Sequence, residues 1–382
     1  MGIIGCGNVA LNFHLPAYQD LPGLFIVNGL ADPGAERLEL GRKAAGLGAA
    51  QVHRDALELI AREDIDVIDV CTPQHLHRDL VIAAARAGKH ILCEKPLAAV
   101  PREAADMVAA ATASGVRLGV VHNYLFFPEI AAMRAVIDSG QIGAVRTVNV
   151  DMLGVVDSPG AAGYRPQWRK DPAVSGGGVL MDMLHGVYLA QHLLGEPVAA
   201  VSAFVDGRDG ESVEDLALYR LEAGRSAALV NVGWGLGRGG VSVHGTAGRM
   251  RATYQNDGTM PWAPFERLLV TTADGTRAVD LPAGRQLAEL VSAAMRDTVA
   301  DFARAVRSGD SGAASGADAL ATLEATVAAY ASAALGHSVA LPLDAADPLH
   351  LRGILGLREL PLPERSLVGS LGLFGLGNAV GV

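Results

Sequence analysis

A glycine turn at the start of the chain constrains the fold more than any other feature of the sequence. Residues 5–10 read GCGNVA, a GxGxxA pattern that follows the apolar pair Ile3-Ile4 and opens a helical pattern. In such a turn the first glycine permits a tight bend, the second lets another group approach the backbone, and the small third residue lets helix and strand pack closely. The sequence therefore predicts a strand, a tight turn and a helix as the first unit of the fold.

Short apolar runs alternate with helical patterns over the first part of the chain. Further runs follow at residues 24–30, 65–71, 89–93 and 116–121, and helical patterns at 80–87 and 102–113 separate the later ones. Strands that alternate with helices are typical of βαβ units and of a parallel sheet covered on both faces. We therefore expect an α/β domain of the Rossmann type over residues 1–123.

The pattern changes after Tyr124. A helix is predicted over Glu129–Ser139, after which strand-like runs dominate without regular helices between them, and this favours an α+β domain with an open, mostly antiparallel sheet over residues 124–345. Its predicted strands cover residues 145–152, 198–205, 216–221, 226–232, 241–244 and 268–272, and helical segments cover 178–194, 286–306 and 317–335. The last two helices are expected to pack on one face or back on the first domain. Residues 346–382 form a C-terminal tail without a predicted role.

Composition excludes some classes of function. The chain has 382 residues, and its 31 Lys and Arg against 41 Asp and Glu give a net charge of −10, which offers no support for nucleic-acid binding. Cys6, Cys71 and Cys93 have no zinc-ligand spacing, so we expect no metal and the reduced thiols of a cytoplasmic protein. Neither a signal peptide nor an apolar run of membrane-spanning length is evident. The strand before Gly5 is short, which leaves open a start upstream of Met1.

The glycine turn, together with the residue that ends the second apolar run, points to a dinucleotide. The free N–H groups and the positive dipole end of a helix N-terminus suit a pyrophosphate. Asp32 stands where a carboxylate accepts hydrogen bonds from the ribose hydroxyls of NAD and repels the 2′-phosphate of NADP. We therefore expect NAD as the cofactor, with NADP as the less favoured alternative. The predicted contacts in this region are Gly5, Gly7, Asn8, Val9 and Asp32.

Further candidates lie in the loops that follow the later strands, at the edge of the sheet where open α/β folds bind ligands. The loop after the third strand reads CTPQHLH from residue 71, and the loop after the fourth reads CEKPL from residue 93. The predicted cofactor contacts in these loops and after the fifth strand are Thr72, Pro73, His77, Glu94, Lys95 and Asn123. His77 and Asn123 could equally serve to hold their own loops together.

A third group of residues lies in the second domain. Three glycines at 176–178 lead into the helical segment, where Asp182 and His185 stand three residues apart, a spacing that puts both side chains on one face of a helix. The glycine run could serve as a hinge or could give a ligand close access to the backbone.

These motifs together resemble the Gfo/Idh/MocA oxidoreductases, the family of glucose–fructose oxidoreductase and inositol dehydrogenase. The most specific signal is Glu94-Lys95-Pro96 after the threonine-proline loop, combined with the glycine run, Asp182 and His185. The resemblance extends from the glycine turn to about Leu341. It implies a second sheet that lays one face over the cofactor and often forms a subunit contact with the other, so we expect a homo-oligomer, a dimer or tetramer, through the C-terminal sheet.

The resemblance also implies catalytic roles. Lys95 would lie beside the nicotinamide and stabilise charge on the substrate oxygen. His185 would be the general base that takes the hydroxyl proton as hydride leaves for NAD⁺, and Asp182 would bind a substrate hydroxyl or orient the base. The commonest family form places three residues between the Asp and the His, whereas this chain has two, which puts the substrate geometry in doubt. His192 is an alternative base farther along the segment.

The resemblance implies hydride transfer between NAD(P) and a secondary hydroxyl or carbonyl of a sugar, cyclitol or related polyol. The predicted substrate contacts are Lys95, Tyr164, Trp168, Arg169, Asp182 and His185. An aromatic side chain among them could stack on a sugar ring. Two alternatives stay open: an NAD-dependent glycosidase that uses transient oxidation, and a non-catalytic dinucleotide-binding sensor.

Overall fold

The computed structural model describes residues 1–155, 170–207, 213–237, 239–254, 265–282 and 286–361. These residues form two sheets, a parallel one from the first part of the chain and a mixed one from the rest. Three of the predicted substrate contacts, Tyr164, Trp168 and Arg169, lie outside the described residues, as does the tail beyond Pro361.

The first sheet is parallel throughout and has the strand order β3-β2-β1-β4-β5-β6. Its strands are β1 (Gly2–Ile4), β2 (Gly29–Ala31), β3 (Val52–His53), β4 (Val67–Val70), β5 (His90–Cys93) and β6 (Leu118–Val120). The order turns back between β1 and β4, and such a switch point is where open α/β sheets bind ligands beyond the carboxyl ends of their strands. The predicted Rossmann-type domain is confirmed.

Both faces of this sheet are buried. Ile3 and Ile4 are adjacent in β1, so their side chains point to opposite faces, and they enter two different hydrophobic clusters. The covering helices are a π-helical segment (Ala10–His14) continued by α1 (Leu15–Gln19), then α2 (Ala35–Ala45), α3 (Ala56–Ile60), α4 (His77–Arg86) and α5 (Pro101–Ala113). Burial of each aliphatic side chain in such a cluster stabilises the fold by roughly 1.5–3 kcal/mol.

The apolar run at residues 24–30 is not a strand over its length. The strand β2 begins only at Gly29, and the chain before it turns, with Leu24 N–H donating to Leu21 O at 2.9 Å. The apolar side chains of Phe25 and Val27 pack instead on the edge of a hydrophobic cluster beside the sheet. The run is therefore hydrophobic because it packs against neighbouring elements, which periodicity alone cannot distinguish from a buried strand.

The second sheet has nine strands in the order β14-β13-β12-β11-β7-β10-β9-β8-β15. Its strands are β7 (Val145–Val155), β8 (Ala200–Asp206), β9 (Leu216–Ala223), β10 (Ser226–Trp234), β11 (Gly240–Gly245), β12 (Gly248–Tyr254), β13 (Phe265–Thr272), β14 (Gly275–Asp280) and β15 (Val339–Ala340). All neighbours are antiparallel except β7 and β10, which confirms an open, mostly antiparallel sheet. The strands β12 and β14 are not among the predicted ones, because exposed charged side chains such as Arg249 and Arg277 interrupt their apolar pattern.

One face of the second sheet is packed and the other is open. Val148, Val150 and Met152 of β7 are fully buried, whereas the alternate side chains of the strand are partly exposed. The packed face carries helices from the same part of the chain: α6 (Pro128–Asp138), α8 (Val179–Asp182) and α9 (His185–Leu194); the short helix α7 (Pro172–Ser175) contacts residues 74–76 after β4 instead.

The two late helices lie on different elements. α10 (Leu287–Ser308) places Met295, Val299 and Phe302 in the hydrophobic cluster of β1, so it packs back on the first sheet. α11 (Gly316–Leu335) packs on β8 and on α5. The first part of the predicted tail is folded, since α12 (Pro348–Arg352) and a 3₁₀ segment (Gly353–Glu359) bury apolar side chains against the core.

The division at residues 123 and 345 stays a prediction. Within the described residues, no helix combines the length and apolarity needed to cross a membrane.

The predicted helical segment over 178–194 is broken, and this corrects the expectation that Asp182 and His185 share one face of a helix. α8 ends at Asp182, the backbone at Met183 leaves the helical region with φ −102° and ψ 30°, and α9 starts at His185. A Cβ on Gly186 would lie 2.6 Å from Val230 Cγ1, so α9 is pressed closely on β10. The chain changes direction at Met183 to reach that position.

A buried acid in α6 makes stability depend on pH. Glu129 is 2 % exposed, its Oε1 has no hydrogen-bond partner among the described residues, and burial raises its pKa to about 7. At a pH between the ordinary pKa of 4.5 and the raised pKa of about 7, Glu129 is ionised in the unfolded chain but keeps its proton in the folded chain. Because the unfolded state then binds fewer protons, stability falls as pH rises through this window.

We expect Glu129→Gln to gain stability relative to the parent protein as pH rises from 5 to 8, by roughly 2–3 kcal/mol, because glutamine does not ionise. Chemical denaturation at four pH values across this range measures the difference. Glu36→Gln, at an exposed position in α2, is the control and should show a flat difference. A difference for Glu129→Gln that does not change with pH would contradict the prediction.

Candidate active site

The glycine turn has the geometry that a pyrophosphate requires. Gly5 has φ +94°, and a Cβ there would lie 2.7 Å from Cys71 O, so only glycine fits between β1 and the loop after β4. A Cβ on Gly7 would meet nothing within 4 Å, so the backbone of this residue faces open space. The helix follows at once, with Leu11 N–H donating to Gly7 O at 3.1 Å. The N–H groups of its first turn have no partner within the helix and are available to an anion.

Asp32 lies beside this turn, as predicted from its distance along the chain. Its Oδ2 accepts Cys6 N–H and its Oδ1 accepts Gly34 N–H, both at 2.7 Å. Each carboxylate oxygen can accept a further hydrogen bond, and the residue is partly exposed. The carboxylate is therefore held at the edge of the open space next to Gly7, where it can accept ribose hydroxyls and oppose an additional phosphate.

The loop after β4 contributes one free group and one structural residue. The Thr72 hydroxyl is buried and has no hydrogen-bond partner among the described residues, so it can serve a ligand. The His77 ring, also buried, contacts Thr72 O at 2.8 Å and Leu97 O at 3.1 Å, and so ties this loop to the loop after β5. A cofactor contact by His77 stays a prediction, but its ring nitrogens are already engaged. Pro73 and the buried Asn123 lie at the same edge of the sheet.

Lys95 joins the two domains at this edge. Its Nζ donates to Asp182 O at 2.9 Å and lies 3.7 Å from Asp182 Oδ1. Both side chains keep about a fifth of their surface exposed, at 22 % and 20 %. The ammonium and the carboxylate predicted for the site therefore do meet, although Asp182 ends a helix instead of lying within one. The Glu94 carboxylate accepts the backbone N–H of Lys95 at 2.9 Å.

His185 is held in an aromatic enclosure. It is 5 % exposed, stacks on Tyr124 at 4.0 Å between ring centroids, and places Nδ1 2.6 Å from Tyr188 Oη. Burial lowers the pKa of His185 well below its usual range, and the charges of Lys95 and His122 act in the same direction. The imidazole is therefore neutral at neutral pH and keeps one ring nitrogen able to accept a proton.

A buried carboxylate just before β9 explains the glycine run. Glu214 precedes β9 and is fully buried; its Oε1 and Oε2 accept Gly178 N–H at 3.0 and 2.9 Å, and Oε1 also accepts Leu180 N–H and the Tyr330 hydroxyl. A Cβ on Gly177 would lie 2.0 Å from Tyr330 Oη, and one on Gly178 would lie 2.3 Å from Glu214 O. A hinge and close access for a ligand both stay predictions for this run; the groups seen to approach its backbone are Glu214 and Tyr330.

The Glu214 carboxylate thereby anchors the first turn of the short helix that carries Asp182. Burial raises the pKa of Glu214 to about 7, although Tyr330 and the N–H groups of Leu180 and Gly178 favour its ionised form. A carboxylate that receives hydrogen bonds from three donors in a buried place holds those donors in one geometry. Glu214 therefore fixes where Asp182, at the other end of that turn, meets Lys95.

A small cleft of about 80 Å³ opens between the two domains beside Lys95 and Asp182. Gln74 and Trp234 line it, and Gln74 also donates to Ser175 O at 2.7 Å. Neither residue is among the predicted contacts. Gln74 lies within the predicted loop and could have been included, whereas Trp234 lies at the end of a strand and nothing in its local sequence indicates a ligand.

The parallel sheet, the glycine turn with Asp32 and the cluster of Lys95, Asp182 and His185 define a dinucleotide-dependent oxidoreductase. A family model described as an oxidoreductase family with an NAD-binding Rossmann fold matches residues 1–122, and one described as the Gfo/Idh/MocA C-terminal domain matches residues 130–251. The chain belongs to the Gfo/Idh/MocA family of NAD-binding oxidoreductases.

Curated relatives and solved structures agree with this assignment. The chain is 29% identical to the 1,5-anhydro-D-fructose reductase of Ensifer adhaerens, over 87% of this chain and 97% of that protein. It is 30% identical to the D-apiose dehydrogenase of Paraburkholderia graminis, over 89% and 88%. It superposes with a TM-score of 0.78 on an oxidoreductase from Agrobacterium radiobacter in complex with NAD⁺, L-tartaric acid and magnesium, at 25% identity over 89% of this chain and 97% of that one.

We expect Gly7→Ala to fold normally but to bind NAD⁺ at least roughly tenfold more weakly, because the added methyl group would occupy space that only a ligand fills. Titration calorimetry measures the affinity, and thermal unfolding checks the fold. Gly23→Ala, at a turn where a Cβ also meets nothing within 4 Å, is the matched control. Unchanged NAD⁺ affinity in Gly7→Ala would place the pyrophosphate elsewhere.

Proposed function

We propose that the chain oxidises a secondary hydroxyl of a sugar, cyclitol or related polyol with NAD⁺, or reduces the corresponding carbonyl with NADH. The observation that carries this proposal is the contact of Lys95 Nζ with Asp182 at 2.9 and 3.7 Å, on the cleft between the domains. An ammonium and a carboxylate that share a cleft with the end of the cofactor site can bind a polar, hydroxyl-bearing substrate. The two curated relatives reported above are a sugar reductase and a sugar dehydrogenase by name.

Lys95, Asp182 and His185 divide the work in this proposal. Lys95 donates a hydrogen bond to the substrate oxygen and stabilises negative charge on it. Asp182 accepts a neighbouring hydroxyl and holds the ammonium in place. His185 takes the hydroxyl proton, for which its neutral state is required. Bound NAD⁺ supplies the hydride acceptor.

Tyr188 supports His185 as the base. Its hydroxyl oxygen receives Tyr124 N–H at 3.2 Å and lies 2.6 Å from His185 Nδ1. A phenol oxygen can accept two hydrogen bonds, so it can accept one from the Tyr124 N–H and one from a protonated Nδ1 of His185. Nε2 is then left bare as the nitrogen that accepts the substrate proton. His192 is a weaker candidate, because it lies two turns along α9 and its carbonyl oxygen accepts Arg134 there.

The cofactor contacts follow from the same geometry. Gly5, Gly7, Asn8 and Val9 hold the pyrophosphate, Asp32 accepts the ribose hydroxyls, and Thr72, Pro73 and Asn123 line the path toward Lys95. Asp32 favours NAD over NADP, because a 2′-phosphate would meet its carboxylate. Tyr164, Trp168 and Arg169 remain predicted substrate contacts, and Trp234 joins them as an aromatic side chain of the cleft. The free thiols of Cys6, Cys71 and Cys93 support a cytoplasmic location.

We expect Lys95→Met to lose turnover by roughly 10³-fold while its affinity for NAD⁺ stays within about threefold of the parent protein, because the ammonium acts on the substrate oxygen. A panel of sugars and cyclitols with NAD⁺ and NADP⁺, followed by NADH absorbance, measures turnover. Lys43→Met, at an exposed position on α2, is the control. Retained turnover in Lys95→Met would refute the proposed role, and sugar release from glycosides without net NADH would favour the glycosidase alternative.

We further propose that two copies of the chain associate through the open face of the second sheet. Phe204 and Leu218 face each other across β8 and β9, and Leu229 of β10 lies nearby, and each is between 38% and 49% exposed. Clustered large apolar side chains on an open sheet face favour association with another surface. An identical face on a second copy satisfies this requirement by two-fold symmetry.

We expect the double substitution Leu218→Asp and Leu229→Asp to convert the oligomer to monomers, because the charges would have to lose water on association. Light scattering coupled to size-exclusion chromatography measures the mass. Leu40→Asp, at an exposed site on α2, is the control and should leave the mass unchanged. A parent protein that is monomeric, or a double variant of unchanged mass, would contradict this surface.

A further inference from the structure

A buried array of charged groups lies beside the loop that carries Lys95. It consists of His14, Asp69 and Glu94, and we call it the His14 array. His14 is 0% exposed, its Nδ1 lies 2.8 Å from Asp69 Oδ2, and its Nε2 lies 2.8 Å from Glu94 Oε1. Asp69 is also 0% exposed, whereas Glu94 keeps 14% of its side chain accessible. The array therefore runs from the interior of the first sheet to the edge of the active site.

Two carboxylates face the ring of His14, one at each nitrogen, with the Cys71 thiol 3.4 Å from Nδ1, and this arrangement favours an imidazolium. Ionised carboxylate oxygens only accept hydrogen bonds, so a ring with a carboxylate at each nitrogen must donate from both. Burial opposes the charge, but Asp69 outweighs it and the pKa of His14 is well above its usual range. Burial likewise opposes ionisation of Glu94, but the hydrogen bond from His14 lowers its pKa. Such a pair is stable in a buried place only while both partners remain.

The local sequence places His14 at this position. The helix after the glycine turn has a π-helical segment, Ala10–His14, that ends at this residue. Tyr18, one turn later, donates to the same Asp69 oxygen at 2.9 Å. Asp69 lies inside the apolar strand β4, where an unpartnered carboxylate would be costly. His14 and Tyr18 thus both bond Asp69 Oδ2, whereas Asp69 Oδ1 is buried without a partner among the described residues.

The array determines where the Glu94 carboxylate points. Its Oε1 is held by His14 and its Oε2 accepts the backbone N–H of Lys95 at 2.9 Å. Glu94 is the neighbour of Lys95 in the chain and would otherwise be a natural counter-ion for its ammonium. With Glu94 drawn inward, the ammonium meets Asp182 on the cleft instead.

We propose that His14 is a positioning residue for Lys95 and acts through Glu94. As an imidazolium it binds the Glu94 carboxylate, which fixes the backbone at Lys95 and keeps the ammonium free for the substrate oxygen. Glu94 is then a support for Lys95, which differs from the direct cofactor contact expected from the sequence. The proposal rests on the proposed catalytic function of Lys95.

The first test compares His14→Gln with Tyr18→Phe. Both remove a hydrogen bond from buried Asp69, so both should lower thermal stability, but only His14 also touches Glu94. We expect His14→Gln to lower kcat on the order of 10²-fold, with NAD⁺ affinity and KM within about threefold, since a displaced catalytic group loses rate more than binding. Tyr18→Phe should keep kcat within about twofold. Equal losses of kcat in the two variants would overturn the proposal.

The second test is whether His14 acts through Glu94. Glu94→Gln keeps an acceptor for Lys95 N–H but removes the charge. In this background, the fold loss of kcat caused by His14→Gln should be less than about a fifth of the fold loss that His14→Gln causes in the parent protein. Full additivity would mean that His14 acts by another route and would refute the proposal. Loss of turnover in Lys95→Met combined with normal turnover in His14→Gln would refute this inference alone and leave the proposed function standing.

The third test needs no variant to be active. Histidine-selective ¹⁵N labelling of the parent protein without substrate reports the protonation of each ring nitrogen, and the signal missing from His14→Gln identifies His14. If that variant does not fold, nuclear Overhauser contacts between the ring protons and Tyr18 identify the signal. We expect both nitrogens of His14 to carry protons at pH 7, above the ordinary pKa of 6.5 for an imidazole. A single neutral tautomer at pH 7 would overturn the proposal.

Discussion

The contact between Lys95 and Asp182 is the interaction on which the active site depends, because it joins residues from two separately built sheets. Lys95 follows β5 of the parallel sheet and Asp182 ends a short helix laid on the mixed sheet. The carboxyl edge of the parallel sheet belongs to the first domain, whereas the cleft is lined by residues of both domains. Gln74 adds a second link at the same place by donating to Ser175 O, which stabilises the approach of the two domains where the chemistry occurs.

Close packing behind this contact accounts for several features that look functional in the sequence. The glycine run at 176–178 is needed because Tyr330 and Glu214 occupy the space that side chains at Gly177 and Gly178 would take. The run therefore serves to bring a buried carboxylate to the start of a helix, and the ligand side of the loop is provided by Asp182 at its end. A similar argument applies to Gly5, whose neighbour is the backbone of Cys71.

The sequence predicts those features that depend on local chemistry and on the order of elements. The position of Asp32 beside the glycine turn follows from strand order, and so does the placement of Lys95 at the carboxyl edge. The break between Asp182 and His185 could not be predicted from the local sequence. It accompanies the packing of Gly186 on β10, a contact between distant parts of the chain. The strand assigned to residues 24–30 is wrong for a related reason: burial can arise from packing against another element as well as from a place in a sheet.

The partners of the site residues were the hardest part to predict, although one signal was present. A carboxylate at Asp69, inside an apolar parallel strand, must have a buried donor, and His14 and Tyr18 on the first helix are suitable candidates by spacing alone. The sequence predicts Glu94 as a cofactor contact because its loop follows a strand at the edge of the sheet where ligands bind. One ring nitrogen of His14 contacts Asp69, so the other nitrogen of an imidazolium needs a second acceptor. Glu94 is that acceptor. The buried acid in β4 thus bears on the orientation of the carboxylate next to Lys95, through the imidazole of His14 that lies between the two acids.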